Sequence, residues 1–224
     1  LTLSIKFLNI TMKNSICTYK YIKQILCVTL LAASNNLIAK EWNFDAILND
    51  KVIGQHTFIY EDGKTVSNAN FKFEYFLMDF IYQHKSTETW GDNCLKTISS
   101  NTNDDGDLYE VSGHIEANQF LVKTNNETKE LPLCVMTFAY GNPKILEQKK
   151  LMNSQNGEYL DVNIQFLREE SLMVKGKEIL TSLWQIEAKG DDGDLLVHLW
   201  YDKNMNWVSL KSHTPIGDMR YNLK

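Results

Sequence analysis

FKFEYFLMDFIYQH, residues 71–84, sets the architecture of the chain. Its large apolar side chains occupy odd positions at Phe71, Phe73, Tyr75 and Leu77, then even positions at Met78, Phe80 and Tyr82. Alternation with period two marks a strand with one buried face. A one-residue change of phase inside a long strand is what a β-bulge produces, and bulges curl sheets. The reading is mainly β: a single, strongly curved antiparallel sheet with meander connections, forming a half-barrel or a closed barrel.

The same alternation runs outward in both directions. Trp42, Phe44, Ala46 and Leu48 form one apolar set, Tyr109, Val111, Gly113 and Ile115 a second, and Leu160, Val162, Ile164 and Phe166 a third, set against Asp161, Asn163 and Gln165. Turn chemistry separates them at Asn49-Asp50-Lys51, Glu61-Asp62-Gly63-Lys64, Asn103-Asp104-Asp105-Gly106, Asn156-Gly157 and Asp191-Asp192-Gly193-Asp194. One segment reads as helix. Asn142 is an N-cap, Pro143 suits the first helical position, and Lys144–Met152 places Ile145, Gln148 and Met152 on one face. Spanning Pro143 to Met152, so short a helix is expected to pack on the concave side of the sheet.

Residues 1–39 carry Lys6, Lys13, Lys20 and Lys23 with no acid, then the apolar run Ile25–Ala33, then Leu37-Ile38-Ala39. That order is a secretory signal peptide, with Met12 the better start and Ala39 the last residue before cleavage. The apolar run falls short of the roughly 20 residues a membrane-spanning helix needs. A single β domain over residues 40–224, exported to the periplasm, is the expectation. Cleavage removes four of the 23 basic residues and none of the 28 acidic ones, leaving 19 against 28, a net charge of −9. Such a chain is a poor partner for nucleic acid, whose binding rests on cationic neutralisation of phosphates.

Cys17 and Cys27 leave with the leader, while Cys94 and Cys134 remain in an oxidising compartment. An even pair there reads as a disulfide. The alternative, a metal ligand or a nucleophilic thiol, lacks a second cysteine or a histidine at ligand spacing.

Three stretches carry a resemblance: HKSTETWGDNCLKTISSNTNDDG, LPLCVMTFAYGNPKILEQKKLMNSQNGEY and HLWYDKNMNWVSL. They resemble an uncharacterised exported proteobacterial family, known only as a domain of unknown function, over nearly all of the mature chain. More loosely, the FDAILNDKVIGQHTF opening looks like that of a second family of unknown function with a curved antiparallel sheet. The first resemblance places His84, Glu88, Trp90 and Cys94 on one motif. Cys134, Phe138, Ala139, Tyr140, Asn142, Pro143, Asn153, Gln155 and Gly157 fall on a second, and Trp200, Tyr201 and Trp207 on a third. The chain departs from the pattern at Gly141, where a large aromatic is expected, and at Asn156, where threonine is. A missing ring at Gly141 would enlarge or open whatever that ring lines. The resemblance implies fold and export and supplies no activity.

The catalytic candidates are His84 and Glu88, four apart on a strand and so on one face, with Trp90 beside them. The bland alternative is a polar pair on the wet side of the sheet. Serine-nucleophile elbows are missing from the sequence. The five histidines stand singly and no metal site is expected, and the Asp-rich turns lack the twelfth-position glutamate of a calcium loop. Neither a cofactor nor an enzymatic activity is assigned. Asn142, Asn153 and Asn156 are accounted for by the cap and the turns, which leaves Gln155. Tyr140, Asn142, Gln155 and Trp90 are the ligand-binding candidates. The leading expectation is a periplasmic binding or carrier module whose apolar concave face holds a lipid-like or other hydrophobic ligand. The alternatives are a small periplasmic hydrolase or isomerase using His84 and Glu88, and an envelope assembly factor that binds a protein partner through a sheet edge or apolar patch.

Overall fold

A computed structural model describes residues 39–75, 77–125, 127–190 and 193–224. The expected leader lies outside them except for Ala39, as do residues 191 and 192 of the last predicted turn. Strands β1 (Lys40–Leu48) and β2 (Lys51–Glu61) open the fold. Trp42, Phe44, Ala46 and Leu48 are all buried, as their alternation requires. Asn49 and Asp50 between the strands both have positive φ, 48° and 67°, the backbone of a two-residue hairpin turn that matches strand twist.

The stretch at residues 71–84 is a hairpin, not one bulged strand. It joins β3 (Lys64–Tyr75) to β4 (Met78–Gly91), with Tyr75 opposite Met78 and Leu77 at φ 62° in the connection. The phase changes because the chain reverses: Phe71 faces Tyr82 and Phe73 faces Phe80 across the ladder, as stacked rings 5.3 and 5.4 Å apart. Nothing at the turn announced the reversal, because no Asn-Gly or Asp-Gly stands there. Bulges do occur, at Ala46/Ile47, Thr89/Trp90, Phe166/Arg168 and Trp200/Tyr201.

Strands β5 (Cys94–Asp104), β6 (Asp107–Glu116), β7 (Gln119–Lys123) and β8 (Thr128–Leu131) continue the meander. After a crossing segment that contains β9 (Lys150–Met152), five sequentially paired strands complete it: β10 (Tyr159–Val174), β11 (Lys177–Gly190), β12 (Gly193–Asp202), β13 (Trp207–Thr214) and β14 (Gly217–Leu223). The strand order is β8-β7-β6-β5-β4-β3-β2-β1-β14-β13-β12-β11-β10-β9. First and last strands therefore pair in the middle of the sheet, Phe44 opposite Leu223 and Leu48 opposite Met219. The sheet is barrel-like but not closed, with β8 and β9 as its edges. No helix among the described residues is long and apolar enough to cross a membrane.

The expected helix is absent. Asn142 does cap and Pro143 does start a turn, but it is a single 3-10 turn, Pro143–Glu147, ending where Gln148 becomes extended at φ −86° and ψ 155°. The next residues find better backbone partners than a helix could offer. Met152 pairs with Tyr159 and Leu151 with Leu160, while the Met152 N–H donates to the Met136 carbonyl at 2.8 Å. A ten-residue helix is marginal in water, and tertiary pairing overrides it. The buried side chains Ile145, Leu151 and Met152 are anchored by extended chain instead.

This crossing segment, residues 132–158, ties β5 to the edge strand β9. Cys94 and Cys134 form a disulfide, and the Leu95 N–H donates to the Val135 carbonyl at 2.9 Å. Three residues later Thr137 bridges to Met152 in parallel, and the Phe138 N–H donates to the Met152 carbonyl at 3.3 Å. Side chains around the junction, Leu95, Ile98, Val111, Phe120, Val122, Leu131, Val135 and Met152, form one apolar cluster. The other, larger cluster centres on Trp207, whose ring lies 4.2 Å from that of Phe44 and 5.2 Å from that of Phe58.

Removing the disulfide tests the role of the junction. With its cysteines 40 positions apart, loop entropy assigns the bridge about 4 kcal/mol. Cys94→Ser with Cys134→Ser should lower the urea-unfolding free energy by an amount of that order. A loss below about 1 kcal/mol would show that the backbone bonds of Val135 to Phe138 suffice alone.

Candidate functional site

The inner face of β2 to β5 is organised in cross-strand rows. One row runs Phe44, His56, Ala69, His84, Thr102; the next runs Trp42, Phe58, Ser67, Ser86, Ser100; the third runs Tyr60, Thr65, Glu88, Ile98. Two rows thus start in an aromatic core and become polar on β3 and β4. Thr65, Ser67, His84, Ser86, Glu88, Ser100 and Thr102 are all buried. The apolar concavity expected from the sequence is therefore interrupted by a polar stretch, because the alternation on β4 places His84, Ser86 and Glu88 inward between the two apolar clusters.

A cavity of about 240 Å³ lies over these rows. Its floor includes His56, Ser67, His84, Ser86 and Glu88, and its roof is the crossing segment at Thr137–Tyr140 and Asn153–Gln155. The roof is tied down by polar contacts. Ser100 Oγ donates to the Ser154 carbonyl at 2.5 Å, the Tyr82 hydroxyl donates to Gln155 Oε1 at 3.2 Å, and Gln155 Nε2 donates to Asp104 Oδ2 at 3.3 Å. Asn153 and Asn156 shape the loop by accepting from the N–H groups of Gln155 and Glu158, at 2.9 and 3.1 Å. Their role is the local turn chemistry typical of asparagine.

Of the residues singled out from sequence, His84, Glu88, Tyr140 and Gln155 line this cavity. Trp90 and Asn142 line a neighbouring one of about 380 Å³, which shares Tyr60, Thr65 and Ala139 with the first. Trp90 is turned by its bulge and donates from Nε1 to Thr65 Oγ1 at 3.1 Å; Asn142 accepts from the Lys144 N–H at 3.1 Å as a cap. His84 and Glu88 do not meet as a pair. Four residues of strand separate them by about 13 Å, and Ser86 stands between. His84 Nδ1 lies instead 2.8 Å from Thr102 Oγ1.

His56, Tyr60, Ser67, Tyr82, Thr137 and Tyr221 were missed. His56 bridges Ser67 Oγ, 2.7 Å from Nε2, and the Tyr221 hydroxyl, 3.0 Å from Nδ1. The 3.0 Å contact joins the second strand to the last, residues 165 positions apart. Sequence spacing holds no signal for that pairing, although the even-numbered phase of β2 could have placed His56 with Phe58 and Tyr60 on one face.

Burial governs the electrostatics. Desolvation holds His56 down to about 3, with His84 adding a smaller push, and holds His84 down to about 4, so both imidazoles are neutral at neutral pH. Desolvation pushes Glu88 up to about 7, opposed only by the Thr137 hydroxyl beside it. The Tyr60, Tyr82, Tyr140 and Tyr221 phenols are also pushed up by burial. Among the described residues, no basic side chain forms an ion pair with Glu88. The Tyr60 hydroxyl and Thr137 Oγ1 are buried and make no hydrogen bond of good geometry; their nearest polar neighbours are the Gly141 backbone for Tyr60 and the Glu88 carboxyl for Thr137, each close enough to offset part of the burial shift. At the site where the family resemblance implies an aromatic, Gly141 is occluded by that same tyrosine: a Cβ there would lie 2.1 Å from the Tyr60 hydroxyl oxygen. The Tyr60 phenol occupies the space a side chain at 141 would take, and Gly141 and Tyr60 both line the cavity of about 380 Å³.

The family model described as "Domain of unknown function (DUF6134)" matches residues 44–224. Among solved structures the chain is similar to a beta-barrel-like protein of domain of unknown function DUF1849 from Brucella abortus. The likeness has a TM-score of 0.57 at 13% identity, covering 84% of this chain and 96% of that one, and speaks to fold alone. No curated protein matches the chain.

The buried titrating groups oppose one another. A raised carboxyl leaves the folded state holding a proton that the unfolded state has lost, so between pH 4.5 and 7 Glu88 lowers stability as pH rises. The lowered histidines do the reverse, raising stability from about pH 3 to 6.5 for His56 and from about 4 to 6.5 for His84. Glu88→Gln should therefore gain stability relative to wild type from pH 4.5 to 7 and level off above, by on the order of 3 kcal/mol. Denaturant unfolding across pH measures this; a pH-independent difference would mean that Glu88 titrates normally.

Proposed function

The chain belongs to the family of that domain of unknown function, and we propose that this member is an exported, periplasmic binding module for a small polar ligand, held in the cavity over β2 to β5. Export is supported by the basic-then-apolar order of residues 1–39 and by the Cys94–Cys134 bridge, which suits an oxidising compartment. The observation that carries the ligand class is the cavity wall. Among the described residues Glu88 has only the Thr137 hydroxyl and no counter-charge, and the Tyr60 hydroxyl has only the Gly141 backbone beside it. Buried polar groups are ordinarily paired, and those left over at a concave site await a partner.

A lipid-like ligand fits this wall less well. The cavity is below the roughly 300–1,000 Å³ typical of ligand pockets, and an acyl chain would leave the same polar groups unpaired, at about 1–3 kcal/mol each. Catalysis has one observation in its favour, the chain Ser67–His56–Tyr221, a hydroxyl, an imidazole and an orienting group within hydrogen-bond reach. An imidazole held near 3 is a weak base for that task, and binding is the better-supported reading. An assembly role would draw on exposed apolar residues such as Leu77 and Met78 at the β3–β4 tip and Met173 and Leu180 on β10 and β11.

Native mass spectrometry of mature protein purified gently from its own periplasm tests the reading. The expected result is one discrete adduct that is recovered in the aqueous phase on extraction and is lost in Ser86→Leu, which fills the cavity floor without touching the disulfide. Recovery of the adduct as a lipid would overturn the polar-ligand reading, and retention of the adduct by Ser86→Leu would place its site elsewhere.

A further inference from the structure

Three polar groups converge at one end of the cavity. Glu88 is 4% exposed and lines the cavity, Thr137 stands beside its carboxyl, and the Tyr60 hydroxyl is close enough for the carboxylate to act on it electrostatically. Glutamate is almost never fully buried unless paired. Here the hydroxyl of Thr137 is at hand but a charged partner is lacking among the described residues: both histidines in the wall are neutral, and no lysine or arginine lines the cavity. Hydroxyls can donate or accept, whereas an ionised carboxylate only accepts. The group that completes the set is a donor with positive charge. Rings of Phe58, Tyr60, Tyr82, Phe138, Tyr140 and Tyr221 line the same cavity, and aromatic faces attract cations.

Resting on the binding reading above, we infer that the ligand carries an ammonium group, seated between the Glu88 carboxylate, the Thr137 hydroxyl and the Tyr60 hydroxyl, with its body against the aromatic wall. An anionic ligand would meet a carboxyl and no cation. A neutral polyol would satisfy the hydroxyls but leave the carboxyl's desolvation uncompensated. An ammonium ion ionises Glu88 as it binds, so binding below pH 7 releases a proton.

The titratable groups around the carboxyl come from several elements: His56 and Tyr60 on β2, Tyr82 and His84 on β4, Tyr140 on the crossing segment and Tyr221 on β14. Burial keeps the histidines well below neutral and the phenols well above it. Between pH 6 and 8 only Glu88 changes state within the cavity.

Isothermal titration calorimetry of the mature protein with butylammonium, 1-butanol and butyrate, three probes of one size and different charge, tests the inference. Butylammonium should bind saturably, about tenfold more weakly at pH 6 than at pH 8, because only about a tenth of Glu88 is then ionised. At pH 6, buffers of different ionisation heat should report release of close to one proton. Glu88→Gln should weaken butylammonium at least tenfold and abolish the pH dependence, and Tyr60→Phe should weaken it while the pH dependence stays. If 1-butanol or butyrate binds as well as butylammonium, in wild type and Glu88→Gln alike, the ammonium inference falls and the polar cavity stands. If none of the three binds and the protein from its own periplasm carries no adduct, both readings fall.

Discussion

The short run from Cys134 to Phe138 joins β5 to β9 across the interior, and the arrangement of the molecule follows from that contact. A sheet of fourteen strands with its first and last strands paired in the middle leaves two free edges and one inner face to fill. Unpaired edges template aggregation, so natural sheets cover them. Here β9 is paired by the chain's own crossing segment, through Met136, Thr137 and Phe138, while the disulfide and the Leu95–Val135 bond fix the other end of that segment. The run that protects an edge is the same run that roofs the cavity, so the stability of the junction and the shape of the site are coupled.

Placing the roof there has an electrostatic consequence. Once residues 137–140 and 153–155 cover the inner rows, Glu88, His84 and His56 lose water and shift in the directions that neutralise them. Two neutral imidazoles find hydroxyl partners on neighbouring strands, Thr102 for His84, and Ser67 and Tyr221 for His56. The carboxyl has the Thr137 hydroxyl beside it but no counter-charge. An interior that satisfies its histidines and leaves its one acid without a counter-charge is the arrangement of a site that accepts a partner, which favours binding over packing for this wall.

Much of this was legible in the sequence, and the failures have physical causes. Alternation at Trp42–Leu48 gave a strand and its buried face correctly, because period two survives tertiary context; at Leu160–Phe166 it gave the strand and a half-buried face as far as Ile164, while Phe166, beside a bulge, is exposed. The phase change at Phe71–Tyr82 was real but its cause was not recoverable: a bulge and a tight turn both shift the apolar set by one, and Phe76-Leu77 carries no turn chemistry. The helix from Pro143 failed at Gln148, since a cap and a proline start a turn but cannot extend it against strand partners contributed by Met136 and Tyr159. The inward direction of His84 and Glu88 was open, because both faces of β4 carry polar side chains in its second half. His56, Tyr60 and Tyr221 were invisible because their meeting depends on the pairing of the first strands with the last.

The central claim is that Glu88 sits in the cavity without a charged partner. Carbon-13 NMR of the Glu88 side-chain carboxyl through a pH titration of the ligand-free protein measures it directly. The account predicts a midpoint near 7. A midpoint in the ordinary carboxylate range, near 4.5, would mean that water or an unrecognised donor already solvates the carboxyl, and would contradict it.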